Sequence, residues 1–340
     1  MKIAVVLRGQ ARCAKLGSDL FQRFVVDENP QHQFDVFIHT TNTETICDAT
    51  DAKNRPQNLY DVEIQDLNYI HENYLKYWKP KKYIIEGTSK FLNTVNNIIK
   101  ENAKDKTFKN ILNIDTHAPN LLYGGSSKKF DYKRRLHALH FMSQHWGAAR
   151  GYSLIDSEYD LILQTRPDCL FYFQSGDLQR CLDIINYSAN DLENISTQVM
   201  SHILSVRFSK PLIADYLYVH KQNIISQWFP DVEKTFFDLF TKDKLALYDL
   251  IGDNQIKFQN LLFLKFGKKL EFINNHNCWN AEIIRPSVEI NKTDDIGTVF
   301  DKCRVKQQNF RKDRTSIEVD LEPIYQKLLN NDLWLEGSYE

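Results

Sequence analysis

The sequence predicts an α/β fold in which a mostly parallel central sheet is flanked by helices. The chain opens on the unbroken apolar run Ile3-Ala4-Val5-Val6-Leu7, stopped by Arg8-Gly9, which is the pattern of a strand buried on both faces. A helical stretch and a second apolar run, Phe34 to His39, complete a strand–helix–strand unit of the doubly wound kind. With 340 residues, 42% of them apolar and 26% charged, the chain is long enough to bury a substantial core around such a sheet.

Each element follows from local pattern. After the first strand, Leu20, Phe21, Phe24 and Val25 recur on one side of a helix. Phe34-Asp35-Val36-Phe37-Ile38-His39 is the second strand, and the polar segment Thr40 to Asn58 follows it. A helix from Leu67 to Trp78 ends at Lys79-Pro80, where proline blocks continuation, and Tyr83-Ile84-Ile85-Glu86 is the third strand. Residues Ser89 to Tyr132 are polar and rich in Asn and Lys, with Gly124-Gly125-Ser126-Ser127 near the end, so a helical excursion and a mobile loop over the active site are expected. Leu139, Met142, Trp146 and Ala149 share one face of the next helix, and Tyr159 to Thr165 is a strand that delivers Arg166-Pro167-Asp168 to its carboxyl end. Beyond it the pattern is mixed to Lys210. Then come a strand Ala214 to Val219, a helix Val232 to Phe240, and a helix opening at Gly252-Asp253 with Phe258, Leu261, Leu262 and Phe266 on one face. Leu270 to Ile273 and Glu282 to Ile284 read as late strands, followed by a basic loop and a helix Leu321 to Leu329.

Composition excludes several classes. Lys and Arg total 43 against 44 Asp and Glu, so no overall field holds a polyanion or an acidic membrane surface. Met1 to Leu7 reads as a strand and not as a signal peptide, and no apolar run approaches the ~20 residues of a spanning helix. The expectation is a cytoplasmic protein. The six cysteines lack paired spacing, which argues for reduced, mostly buried thiols over a zinc knuckle. There is no nucleophile elbow, P-loop or GxGxxG.

Ligands of open α/β sheets bind outside the carboxyl ends of the strands, so Asp168 is where chemistry is expected. A carboxylate there can hold a hard divalent ion, and the forked guanidinium of Arg166 matches phosphate oxygens. Gly9 lets the backbone turn or approach a ligand, while Arg8 and Arg12 suit either phosphate or partner carboxylates.

Three stretches, Lys2 to Arg12, Phe34 to Thr40 and Tyr159 to Asp168, together resemble a group of viral, phage and bacterial glycosyltransferases. Its members open with a strand and an R-G-x-x-R turn and place R-P-D in the DxD position of the GT-A fold. The resemblance covers roughly the first 175 residues and implies a GT-A-like, Rossmann-related sheet. It further implies a nucleotide-sugar donor bound near Arg8, Gly9, Arg12 and Arg166, and a Mn2+ or Mg2+ ion on Asp168. A divalent ion would offset the charge that grows on the departing diphosphate. The pattern departs from DxD in having Arg166 in place of the first acid, so one metal ligand fewer is present.

Two further residues take their roles from the resemblance. Asp253 opens a helix near the acceptor and would be the general base, in which case displacement inverts the sugar; as a residue, it equally reads as an N-cap. His276, between two late strands, would reach the metal, or is a polar loop residue. The expected layout is a GT-A-like domain over residues 1–300, its nucleotide-sugar half about 1–175 and acceptor half about 176–300, with 301–340 a basic loop and C-terminal helix packed on it. The acceptor is a glycan hydroxyl, the sugar a hexose or pentose. Two basic clusters, Lys128 to Arg135 and Lys302 to Arg314, read as solvated faces and keep DNA with a modified base open as an acceptor. A non-catalytic nucleotide- or nucleic-acid-binding module on the same fold is the reading from another class.

Overall fold

The computed structural model describes residues 1–42, 66–93, 97, 146–187, 194–196, 217–220, 270–272, 282–284, 288–312 and 329–339. The opening apolar run is strand β1 (Lys2–Arg8), and Ile3 through Leu7 have no exposed surface at all. Such complete burial requires cover on both faces. It is supplied by α1 (Ala14–Phe21), extended by a π-helical turn at Gln22–Val26, and by helices described below. Strand β2 (Gln33–Thr41) runs parallel to β1, with Val5 opposite Val36. Helix α2 (Leu67–Ile70) is capped by Asp66, which accepts from the Tyr69 N–H at 2.7 Å, and it continues through a π turn at His71–Leu75 into α3 (Lys76–Trp78). Lys79 then takes a left-handed conformation (φ 44°) before Pro80, ending the helix where proline predicts.

Strand β3 (Lys82–Glu86) pairs parallel with β2. A helix at residues 146–152, α4, leads to β4 (Leu161–Thr165), which pairs parallel with β1 on the side away from β2. Strand β5 (Cys169–Leu170), α5 (Asp177–Tyr187), β6 (Asn194–Ser196), β7 (Leu217–His220), β8 (Leu270–Phe272), β9 (Glu282–Ile283), α6 (Ile296–Lys312) and β10 (Trp334–Gly337) complete the described elements. The main sheet has the order β10-β3-β2-β1-β4-β7-β6-β8, with the four strands β3, β2, β1 and β4 parallel; β5 and β9 form a separate antiparallel pair. The fold is thus α/β with a mostly parallel central sheet flanked by helices, as expected.

Two cores sandwich the sheet. On one face Ile3, Val5, Leu7, Ile38, Ile85 and Leu163 pack against Ala14 and Phe21 of α1 and against Ile70, Tyr74, Leu75 and Trp78. On the other, Ala4, Val6, Phe37, Ile84 and Ile162 pack against Ala148 and Tyr152 of α4. Gly151 brings α4 so close that a Cβ there would stand 2.6 Å from Val6 Cγ1. A third cluster seats Val299, Phe300 and Cys303 of α6 on Leu20 and Phe24 and on Leu170 and Ile284.

Four elements differ from the sequence reading. Residues 177–187 and 194–196 are helix and strand within a stretch read as mixed, and 301–312 is helical where a basic loop is expected. The chain end contributes β10 to the edge of the central sheet, antiparallel to β3. Among the described residues no helix is long and apolar enough to cross a membrane.

Candidate functional site

The winding of the sheet sets the location. From β1 the chain moves outward through β2 to β3, with α1 to α3 on one face, then returns across α4 on the other face to place β4 on the opposite side of β1. The crevice between the carboxyl ends of β1 and β4 is therefore the topological switch point, where doubly wound sheets bind their ligands. Leu7 and Thr165 are register partners, so Arg8-Gly9 and Arg166-Pro167-Asp168 leave the sheet side by side. Of the residues singled out in sequence, Arg8, Gly9, Arg12, Arg166 and Asp168 all belong to the turns that begin there. Asp253 and His276 lie outside the described residues, as do the loop at 124–127 and the cluster Lys128 to Arg135.

The turn after β1 is built to hold its shape. Gly9 has φ 98°, a conformation that favours glycine, and Cys13 follows in the left-handed region at φ 50°. The turn is tied from α2 and α3: Trp78 donates its indole N–H to the Ala14 carbonyl at 2.8 Å, and the Tyr69 hydroxyl reaches the Ala11 carbonyl at 3.4 Å. Arg8 is 2% exposed, Gly9 is exposed and Arg12 half-buried. The turn after β4 is pressed against α1, where any Cβ on Gly17 would overlap the Pro167 carbonyl oxygen.

Asp168 is 2% exposed, and Arg166 grips it with both forks: Nε donates to Oδ1 at 2.8 Å and an Nη to Oδ2 at 2.7 Å. The backbone carbonyl of Asp168 accepts from the Ile284 N–H at 2.8 Å, which docks β9 beside the turn. Tyr74, fully buried on the same side, has its phenol held well above the ordinary range by burial and by the field of Asp168. The sequence could not show that the two R-P-D side chains pair with each other. That geometry places the Arg166 guanidinium on a carboxylate, and it neutralises the charge a divalent ion would seek. Among the described residues no group of three His, Cys, Asp or Glu side chains converges as a metal site. Asp168 offers one paired carboxylate, and its expected co-ligand His276 lies outside the described residues; an ion held there would take phosphate and water as further ligands.

Sequence reading missed a buried polar cluster at the carboxyl ends of β2 and β3. His39 Nε2 meets Glu86 Oε1 at 2.7 Å, the Trp146 indole N–H donates to that oxygen at 2.9 Å, and Arg150 Nε lies 3.5 Å from Oε2. Burial pushes the Glu86 carboxyl up, but the hydrogen bond and field of His39, with Arg150 and Trp146, outweigh it and hold the group below its ordinary value. A further cavity of about 430 Å³ lies at the amino end of β2, lined by Phe21, Phe34, Asp35, Tyr77, Trp78 and Lys81. It is at the opposite end of the sheet from the switch point.

No family model matches the chain, and no curated protein matches it by sequence. Solved structures do match, among them the apo form of mouse xyloside xylosyltransferase 1, at 8% identity and a TM-score of 0.36, over 80% of this chain and 84% of that one.

Proposed function

We propose that the protein is a glycosyltransferase that moves a hexosyl or pentosyl group from a nucleotide-sugar donor to a hydroxyl of a glycan. The observation that carries this reading is the placement of the R-G-x-x-R turn and the R-P-D turn on the two lips of one switch-point crevice. A nucleotide sugar needs that crevice for its nucleotide and needs positive charge where its diphosphate leaves. Arg8 and Arg12 supply the charge from the β1 turn. Arg166, 18% exposed and already countered by Asp168, adds a polarised N–H edge more than a net charge. These groups bind and orient the donor, and they stabilise negative charge on the bridging oxygen as the glycosidic bond breaks. Asp253 is assigned the acceptor proton, and His276 and Asp168 the Mn2+ or Mg2+ ion that the donor brings; bound, the ion would add Lewis-acid stabilisation of the leaving diphosphate.

The test is release of nucleoside diphosphate from a panel of nucleotide sugars, with Mn2+, Mg2+ and EDTA arms. Turnover with one donor supports the reading, and nucleotide binding without turnover supports the non-catalytic module that the neutralised Arg166–Asp168 pair favours.

A further inference from the structure

The cavity at the amino end of β2 lies apart from the switch point. Phe34, Asp35 and Val36 of its lining come from the start of β2, and Ile3 pairs with Phe34 where Arg8 pairs with His39. Those five steps of strand, at about 3.3 Å each, set the cavity roughly 16 Å from the crevice along the sheet. Its volume of about 430 Å³ is that of a small-molecule site. The apolar wall is braced. Phe34 meets Phe21 edge to face at 5.9 Å, Phe21 lies 5.3 Å from Trp78 in a tilted contact, and the Trp78 indole is tied to the Ala14 carbonyl at 2.8 Å. From α3 the half-buried Tyr77 adds a further ring. Its backbone carbonyl accepts from the Ser18 hydroxyl at 3.0 Å, and Lys15 Nζ stands 5.0 Å from the ring centre. A wall fixed in this way binds without first having to be ordered.

The polar lining is unbalanced in charge. Asp35 is ionised at neutral pH: burial pushes its carboxyl up, but hydrogen bonds from Tyr159, Lys81 and Gln33 hold it below the ordinary value. Lys81 Nζ is occupied by that group, with Asp35 Oδ2 and the Tyr159 hydroxyl each at 3.2 Å. His32, held below its ordinary 6.5 chiefly by burial, is uncharged there. Lys79 remains, an exposed ammonium that has no hydrogen bond or ion pair among the described residues. Its backbone is left-handed, φ 44°, at a helix end where glycine is the usual residue. A side chain is thus held beside the cavity despite backbone strain. One unneutralised cation beside two half-buried rings calls for a ligand with one anionic group on a ring-sized body. Gln22 and Ser18 suit hydroxyls on that body: Gln22 Nε2 donates to Asp27 at 2.7 Å while its Oε1 has no partner among the described residues, and the Ser18 oxygen can still accept. A nucleoside diphosphate brings more negative charge than one free ammonium answers, and the single carboxylate, already paired, makes no cation site. A saccharide with one carboxylate or phosphate has an apolar C–H face, hydroxyls and a charge together.

We propose that this cavity is a second binding site, for a saccharide that carries a carboxylate or a phosphate: the anionic group pairs with Lys79, and the C–H face of the sugar lies on Phe34 and Tyr77. It is independent of whatever the switch-point crevice transfers. The experiment titrates the full chain by calorimetry with glucuronate, glucose 6-phosphate, glucose and inorganic phosphate, for the wild type, Lys79→Gly, Lys79→Arg and Tyr77→Ala, and takes the melting temperature of each. The expected result is saturable one-to-one binding of glucuronate or glucose 6-phosphate by the wild type, the tighter of the two naming the anion. Glucose and inorganic phosphate, which each lack half of the contact, should bind at least about tenfold more weakly. Lys79→Gly should weaken the acidic sugar about tenfold or more while melting no lower than the wild type, because glycine relieves the left-handed strain. Lys79→Arg should keep the affinity, and Tyr77→Ala should lose about fivefold or more. If Tyr77→Ala does not fold, the two Lys79 variants carry the test alone. Excess UDP should leave the acidic sugar bound, since the crevice is at the other end of the sheet. No saturable binding of either acidic sugar, equal affinity for glucose or for phosphate, wild-type affinity in Lys79→Gly, or displacement by UDP overturns the second site. None of these outcomes bears on release of nucleoside diphosphate, which tests the crevice by itself.

Discussion

Asp168 and Arg166 stand two residues apart in one turn and neutralise each other, with Asp168 at the buried end. Asp168→Asn keeps the volume and one acceptor but leaves the guanidinium without its counter-charge, so about 2 kcal/mol of stability should be lost. A lower urea midpoint alongside lost turnover is the expected pair of results; an unchanged midpoint would mean the two side chains do not pair in solution. Gly17→Ala drives a methyl group into the Pro167 carbonyl, an overpacking that costs roughly 1–3 kcal/mol, and it should weaken nucleotide binding because the R-P-D turn must shift. Equal affinity in that variant would show that the turn does not touch the ligand. The positions of Arg8, Gly9, Arg166 and Asp168 were legible in the sequence because each directly follows or ends a strong apolar run. Their pairing was not, since a spacing of two says nothing about which way side chains fold back. His39 and Glu86 were illegible for another reason: they are 47 residues apart, and only the parallel register of β2 and β3 brings them together.

Strands β1, β2, β3 and β4 were readable because central parallel strands are buried on both faces and so appear as unbroken apolar runs. Strand β10 has no such signature, as Trp334, Leu335 and Glu336 are all exposed at the sheet edge. Helix α6 carries Lys302, Lys306 and Arg311 through a thin apolar stripe, which made it read as a basic loop. The strand ends also set the acid behaviour. Asp35, half-buried on β2, is pushed up by burial, but hydrogen bonds from Tyr159, Lys81 and Gln33 bring its carboxyl below the ordinary 3.8, and Glu86 lies below its ordinary 4.5. Both groups bind protons more weakly folded than unfolded, so their stabilisation is complete above about pH 4.5 and drains as pH falls through the lowered values. Between pH 5 and pH 3 the urea midpoint of the wild type should therefore fall more steeply than that of Asp35→Asn/Glu86→Gln. Parallel slopes would show that neither carboxyl is held down by folding.

For the whole molecule, charge speaks to the acceptor. Net charge is −1, and within the C-terminal basic cluster Lys302 pairs with Asp294 at 2.6 Å and Arg304 with Asp301 at 3.5 Å. With no overall positive field to attract a polyanion, duplex-DNA binding should be weak and nearly flat in salt. A DNA acceptor would instead give close to one unit of log–log slope per phosphate contacted. A steep slope abolished by changing Lys128, Lys129, Lys133, Arg134 and Arg135 to Gln would make DNA the acceptor. The most direct measurement of the central claim is chromatographic: nucleoside diphosphate released per enzyme from each nucleotide sugar, for wild type and for Asp168→Asn at a temperature where both are folded. The account predicts multiple turnovers with at least one donor in the wild type and a loss of at least about a hundredfold in Asp168→Asn. Equal turnover in the two, or no release from any donor by the folded wild type, contradicts it.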